Sequence, residues 1–78
     1  MPVKGCVVDL KDFSEILREL RKEKQISQKE LSENIGCTER TIRYYESRER
    51  CPDLRTCIKL AQFFEVSLDY LAGLRDER

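Results

Sequence analysis

Two helix boundaries in the middle of the chain restrict its fold more than any other feature. Ser27 is followed three residues later by Glu30, a pattern that caps the N-terminus of a helix. Gly36 tolerates positive φ and can end that helix, and Thr38 is a suitable N-cap for the next one. The sequence therefore predicts two short helices joined by a tight turn over residues 36–38.

Apolar residues at helical spacing continue on both sides of this turn. A capping box formed by Asp12 and Glu15 is expected at the start of the first helix, and Ser67 is expected to open a fifth. The pattern places these residues on inward faces: Phe13, Ile16, Leu17, Leu20, Leu31, Ile35, Ile42, Tyr45, Leu54, Cys57, Ile58, Ala61 and Phe64. We therefore expect an all-α fold, a compact bundle of five helices.

The two ends of the chain differ from this helical part. Residues 11–74 form the predicted domain. Residues 1–10 form an N-terminal arm, which we expect to pack on the domain or pair with a partner, with a mobile arm as the alternative. Residues 75–78 form a charged tail that we expect to fray.

Composition argues against several classes of protein. Lys and Arg total 15, as do Asp and Glu, so the net charge gives no indication of nucleic-acid binding. There is no bilayer-length apolar run and no signal-peptide pattern, which predicts no membrane association and a cytoplasmic location. Histidine, a glycine-rich phosphate loop and a carboxylate pair in an apolar setting are all lacking, so we expect neither an enzyme nor a cofactor.

The four cysteines, at positions 6, 37, 51 and 57, include no CxxC pair. Zinc sites usually show such a pair or a Cys/His cluster, so no metal site is expected. We expect reduced thiols, some packed as small apolar side chains. A thiol redox sensor is an alternative, with Cys37 as its candidate.

Three segments of the chain resemble the Cro and phage-repressor type of helix-turn-helix domain, also called the XRE family. They read LRELRKEKQISQKELSENIG, TERTIRYYE and PDLRTCIKLAQFFEVSLDYLAGL, and the resemblance runs from about Phe13 to Leu74. It implies a lambda-repressor-like DNA-binding domain whose third helix enters the major groove of double-stranded DNA.

By position, the resemblance also implies which side chains meet DNA. Gln28 would donate to a phosphate at the start of the second helix, where free N–H groups attract anions. Arg40 best fits a bidentate pair with guanine, and Glu39 and Tyr44 are the other base-facing residues. The predicted DNA-binding set is Gln28, Thr38, Glu39, Arg40, Thr41, Arg43, Tyr44, Arg48 and Arg50. A merely solvated helix face is the alternative for these residues.

The resemblance further implies a structural ion pair between Arg21 and Glu46, which would fix geometry more than it adds stability. Two positions depart from the family pattern. Arg48 stands where a glycine usually follows the recognition helix, so either the helix continues or Arg48 closes it with strain. Glu49 stands where a basic residue is common, which weakens a phosphate contact that Arg48 and Arg50 would offset.

The function expected is sequence-specific DNA binding by a homodimer that represses transcription by blocking promoter DNA. Two half-sites about 34 Å apart would raise an affinity that one helix cannot supply. The expected dimer surface is the fifth helix with the C-terminal residues, including Tyr70, Leu71 and Leu74. The alternative is an antitoxin-like or other protein-interaction module on the same scaffold.

Overall fold

Five helices make up the part of the chain that the computed structural model describes, residues 10–74. They are α1 (Leu10–Glu23), α2 (Gln28–Ile35), α3 (Glu39–Glu46), α4 (Leu54–Phe64) and α5 (Leu68–Leu71). No strand occurs within residues 10–74, which agrees with the predicted all-α class. Of the predicted N-terminal arm, residues 1–10, only Leu10 is described, as the first residue of α1, and positions 1–9 and the charged tail at 75–78 lie outside the described residues.

Helix N-termini are marked by capping side chains. Backbone N–H groups three residues further on donate to the side chains of Ser27, Thr38, Asp53 and Ser67. The box predicted at Ser27 is complete, because the Glu30 carboxylate also accepts from the N–H of Ser27 at 3.2 Å. These caps satisfy backbone donors that a helix cannot pair internally, so they determine where the helices begin.

The sequence predicted the start of α1 wrongly and the end of α2 correctly. The capping box at Asp12 is wrong, because α1 begins at Leu10 and Asp12 lies inside its first turn. No glycine or proline separates these positions, so the backbone continues helically upstream. Gly36 does end α2, with a φ of 86° that a glycine adopts without steric cost.

One apolar core lies between the helices. Its buried members are Phe13, Leu17, Leu20, Leu31, Ile35, Ile42, Tyr45, Leu60, Ala61, Phe64 and Leu71. Ile16, predicted to face inward, is partly buried against this core. Phe13 and Tyr45 meet edge to face with ring centres 6.0 Å apart, which joins α1 to α3 at the centre of the domain.

The inward face of α4 is narrower than predicted. Leu54 and Ile58 are 58% and 41% exposed, so their assignment to the core was wrong. The buried residues of α4 are Cys57, Leu60, Ala61 and Phe64. Ile58 is turned about 100° from Cys57 around the helix axis, and Leu54 is in the first turn, beyond the covered stripe.

Candidate nucleic-acid interface

The outer face of α3 is free of the core. Glu39, Arg40 and Arg43 are exposed, whereas Ile42 and Tyr45 on the inner face are buried. The helix is eight residues long, so these three side chains stand on a short rod at the surface. This arrangement permits α3 to enter a groove in a ligand without unfolding.

The N-terminal end of α3 is completed by its own residues. The Thr38 hydroxyl accepts from the N–H of Thr41 at 3.1 Å, and the two hydroxyl groups lie 2.9 Å apart. Thr38 is exposed and Thr41 is half-buried. Both predicted contact residues therefore lie at the start of the helix, where unpaired N–H groups favour an anion.

The C-terminal end of α3 is held by side chains of α1. The buried hydroxyl of Ser14 donates to the carbonyl of Tyr45 at 2.6 Å. Arg18, at the next turn, donates through Nη2 to the carbonyl of Glu46 at 3.0 Å. The last carbonyls of a helix lack partners within it, so α1 supplies donors that α3 needs.

A three-residue network lies beside these bonds. The Arg21 guanidinium donates to both oxygens of the buried Glu46 carboxylate, at 2.7 Å from Nε and 3.1 Å from Nη2. The ion pair expected between these residues is therefore present. Nε2 of Gln28 donates to the same carboxylate at 3.1 Å, and Nη1 of Arg21 donates to the carbonyl of Ile26 at 3.0 Å. The network thus joins α1, α2 and α3.

Arg48 closes α3 in the left-handed conformation, with a φ of 66°. The N–H of Glu49 reaches back to the carbonyl of Tyr44 at 2.9 Å, as it does in a Schellman-type helix end. Of the two alternatives raised by the sequence, the strained closure is the one observed. The Arg48 side chain lies 3.5 Å from the carboxylate of Glu15, and both are about half exposed.

Tyr44 contacts two arginines on the outer face of α3. Its hydroxyl accepts from Nε of Arg40 at 2.8 Å. The guanidinium carbons of Arg40 and Arg50 lie 5.6 Å and 5.2 Å from the centre of its ring, within cation–π range. The structure therefore brings together three of the predicted DNA-binding residues.

Tyr45, on the opposite face, is buried near the start of α4. Burial raises the pKa of its hydroxyl above the ordinary value, and a hydrogen bond with the Thr56 side chain acts in the opposite direction. Thr56 also bonds to the Asp53 carboxylate, which lowers the pKa of that exposed acid. The buried Tyr45 side chain therefore lies close to the start of α4.

Comparison with known proteins agrees with this geometry. A helix-turn-helix family model matches residues 17–71, well over half of the chain. The chain belongs to the XRE-type helix-turn-helix family. It is 39% identical over 59 residues to the uncharacterised HTH-type transcriptional regulator YqaE of Bacillus subtilis, a match that covers 76% of this chain and 51% of that protein. It is 38% identical over 61 residues to the Vibrio cholerae cryptic phage CTXphi transcriptional repressor RstR, covering 78% and 55%.

Solved structures of this type are also similar. The P22 c2 repressor, crystallised with a synthetic operator, superposes with a TM-score of 0.76 at 27% identity and covers 81% of this chain and 96% of its own. The restriction-modification controller C.AhdI of Aeromonas hydrophila gives 0.74 at 32% identity, with the same two coverages. The expected lambda-repressor-like fold is confirmed. Its family regulates transcription, a non-enzymatic role, and this helix-turn-helix domain spans about half the length of the curated relatives it matches.

Sequence reasoning missed two residues that hold the recognition helix of the domain. Neither Ser14 nor Arg18 was among the residues that the sequence singled out. A signal was nevertheless present, because Ser14, Arg18 and Arg21 are spaced four and three residues apart and so share one face of α1. All three donate to the last two residues of α3.

The cysteines of the helix-turn-helix domain differ in state. Cys37 and Cys57 are free thiols, as expected, but Cys51 is disulfide-bonded, so the expectation of reduced thiols is wrong there. Burial raises the pKa of Cys37, and the positive charge of Lys59 opposes this only partly. A redox sensor needs a thiolate of low pKa, so this position does not favour that hypothesis.

Within residues 10–74, no three potential metal-binding side chains cluster, and no helix could span a bilayer.

Proposed function

We propose that this helix-turn-helix domain binds double-stranded DNA at specific sequences, with α3 in the major groove, and acts in transcription as a repressor. The observation that carries the proposal is the contrast between the two faces of α3. Its outer side chains are exposed, and its inner side is bonded to α1 and α2. A rigid helix with free side chains is what direct reading of base edges requires.

The charge around α3 supports contact with phosphates. Glu46 is buried and paired with Arg21, so its charge does not oppose DNA. The exposed charges between positions 38 and 52 belong to Glu39, Arg40, Arg43, Arg48, Glu49 and Arg50. The four arginines outnumber the two glutamates, although the chain as a whole is neutral. The attractive field is therefore concentrated on the proposed binding side.

The exposed charged side chains have distinct roles in the proposed complex. Arg40 reads guanine, and Glu39 accepts from a cytosine amino group or excludes other bases. Arg43, Arg48 and Arg50 meet the phosphate backbone.

Gln28 and the two threonines lie at helix N-termini. Gln28 uses one N–H of its side-chain amide on Glu46, and the amide has a second N–H for a phosphate. Thr38 and Thr41 form the corresponding contact at the start of α3, to backbone or a thymine methyl group. The bond from Gln28 to Glu46 fixes the position of a phosphate donor relative to the recognition helix.

A homodimer through α5 and the C-terminal residues completes the proposal, with one half-site for each copy and a cytoplasmic location where DNA is accessible. Leu68 and Leu74 are 37% and 75% exposed and are available to a partner. Tyr70 is half-buried. Leu71, however, is only 1% exposed and belongs to the core, so it is removed from the expected dimer surface.

Selection of bound sequences from random DNA, followed by a salt titration, tests the proposal. The selected site should contain two related halves, and log affinity should fall with log salt by about 0.9 for each phosphate contact. Failure to enrich any sequence, together with binding that salt does not weaken, would contradict the proposal.

Substitution of Arg40 separates base reading from backbone contact. Arg40→Ala should cost about 1–3 kcal/mol on the selected site and relax the preference at one base pair. Arg43→Ala, the matched change on the same helix, should weaken binding to all sequences alike. An equal loss on every sequence with Arg40→Ala would assign that side chain to the backbone instead.

A protein-interaction module is the second candidate, and the exposed apolar residues of α4 favour it. Leu54 and Ile58 are one helical turn apart, and both are more than 40% exposed. Apolar side chains in such a pair suit a protein partner better than a phosphate backbone. Binding of a partner protein that persists at high salt and is lost in Leu54→Lys would support this alternative.

A further inference from the structure

One hydrogen bond on the outer face of α3 distinguishes Tyr44 from its neighbours. Its hydroxyl accepts from Nε of Arg40 at 2.8 Å, across one turn of the helix. The same ring lies within 5.6 Å of the guanidinium carbon of Arg40 and 5.2 Å of that of Arg50. One half-buried aromatic side chain therefore organises two exposed cations on the proposed DNA-binding side.

The bond restricts how Arg40 can meet a ligand. Its Nε–H is occupied, while no acceptor in the described part of the chain is bonded to Nη1 or Nη2. The Tyr44 hydroxyl, having accepted from Nε, keeps its own proton for another acceptor. The free Nη1 and Nη2 groups of Arg40 and the hydroxyl proton of Tyr44 therefore all offer donors to whatever lies against α3.

Two adjacent donors, such as Nη1 and Nη2 of Arg40, distinguish between bases. Guanine offers two adjacent acceptors in the major groove, N7 and O6, whereas adenine offers one acceptor and one donor, and cytosine presents a donor. We propose that Tyr44 is a positioning residue that holds the Arg40 guanidinium with its Nη1–Nη2 edge toward DNA and thereby sets a guanine preference at one base pair. This inference rests on the proposed function, because it requires α3 to face a duplex.

The physical basis of this base preference is preorganisation of the Arg40 side chain. A free arginine on a helix surface samples many rotamers and loses that freedom when it binds. In this chain the hydrogen bond and the ring contact restrict the Arg40 side chain before any ligand arrives. The smaller loss of side-chain freedom favours only the base that matches the orientation of the Arg40 guanidinium. It therefore raises specificity as well as affinity.

Tyr44→Phe tests the inference, because it removes the hydroxyl and keeps the ring. The assay compares binding to the selected site with binding to its three single-base variants at the position that Arg40→Ala relaxes. The wild-type preference for guanine there should be roughly 5- to 150-fold. Tyr44→Phe should reduce it about three- to tenfold, without a change in the preferences at other positions.

A double-substitution comparison shows whether Tyr44 acts through Arg40. In an Arg40→Ala background, Tyr44→Phe should leave the base preference unchanged, since there is no guanidinium to position. Arg43→Ala is the control, because its exposed side chain lies on the same helix without a bond to Tyr44, and it should lower binding to all four sequences equally. Thermal melting should be the same for Tyr44→Phe and the wild type.

Three results would overturn the inference: an intact guanine preference in Tyr44→Phe, an equal loss on all four bases, or the same loss with and without Arg40. Each of these leaves the proposed function standing, because the wild-type protein still selects a site. A wild-type protein that selects no site, with binding indifferent to salt, would instead refute the proposed function and this inference with it.

Discussion

The two ends of α3 are held in place by different means. At its C-terminus, the bonds come from α1 residues that lie 25 to 31 positions away in the sequence. At its N-terminus, the cap is a threonine three residues from the group that it bonds. The contrast shows that distant contacts orient the recognition helix from one end, while local contacts complete the end where a ligand can approach.

Glu46→Ala should have the largest effect, because it removes the centre of the C-terminal network. The Arg21 guanidinium, whose side chain is only 15% exposed, would lose its carboxylate, and Gln28 would lose an acceptor. Removal of one partner of a buried ion pair typically costs 3–5 kcal/mol, and we expect about 3 kcal/mol in denaturant unfolding. Glu39→Ala, at the opposite end of the same helix, should cost much less, about 0.5 kcal/mol, because its exposed carboxylate only complements the helix N-terminus. Equal effects at both ends would remove the contrast.

Ser14→Ala tests the same end through a single neutral hydrogen bond. Without its hydroxyl, the buried carbonyl of Tyr45 loses the donor that lies 2.6 Å away. The expected loss of stability is about 1–3 kcal/mol, measured by urea unfolding. Ser47→Ala is the matched control, because its hydroxyl bonds at the exposed surface. A Ser14→Ala protein as stable as the wild type would show that water replaces the hydroxyl.

Thr38→Ala probes the locally completed end. Loss of the cap on the N–H of Thr41 should cost about 1 kcal/mol. Thr38→Ser keeps the accepting oxygen and should be close to the wild type in stability. If Thr38→Ala proved as damaging as Glu46→Ala, the N-terminal end would need more support than its own residues provide.

Arg48→Gly should have the smallest effect and the opposite sign. A glycine relieves the cost of a φ of 66°, but it also makes the unfolded chain more flexible. The exposed contact with Glu15 at 3.5 Å adds little, so we expect a net gain of about 0.5 kcal/mol in thermal unfolding. Arg50→Gly, where φ is not positive, should destabilise the domain, and a similar loss in Arg48→Gly would show that strain at this turn is negligible.

The same contrast explains how much of the molecule could be predicted from sequence. The caps at Ser27 and Thr38 and the turn at Gly36 depend on neighbouring residues, so the chain order reveals them directly. The contacts of Ser14 and Arg18 depend on how α1 crosses α3, which no local pattern specifies. The pair between Arg21 and Glu46 was predicted only through the family resemblance.

The errors on α4 and α5 have a related cause. Apolar residues mark a helix face, but which part of that face is covered depends on the neighbouring helices. Leu54 and Ile58 are exposed because no described element packs over them, and Leu71 is buried by the core rather than left for a partner. The bond between Arg40 and Tyr44 was also missed, although their spacing of four residues permits it.

None of the side-chain hydrogen bonds from α1 that anchor α3 involves Glu39, Arg40 or Arg43. The residues that anchor the helix are therefore different from those on its exposed face. We expect that these three positions can be randomised together with little change in the melting temperature of the domain. Under the proposed function, the members of such a library would differ in the DNA sequence that they select. The domain is therefore suited as a scaffold for engineered regulators, because α1 would hold the variable helix in a constant orientation.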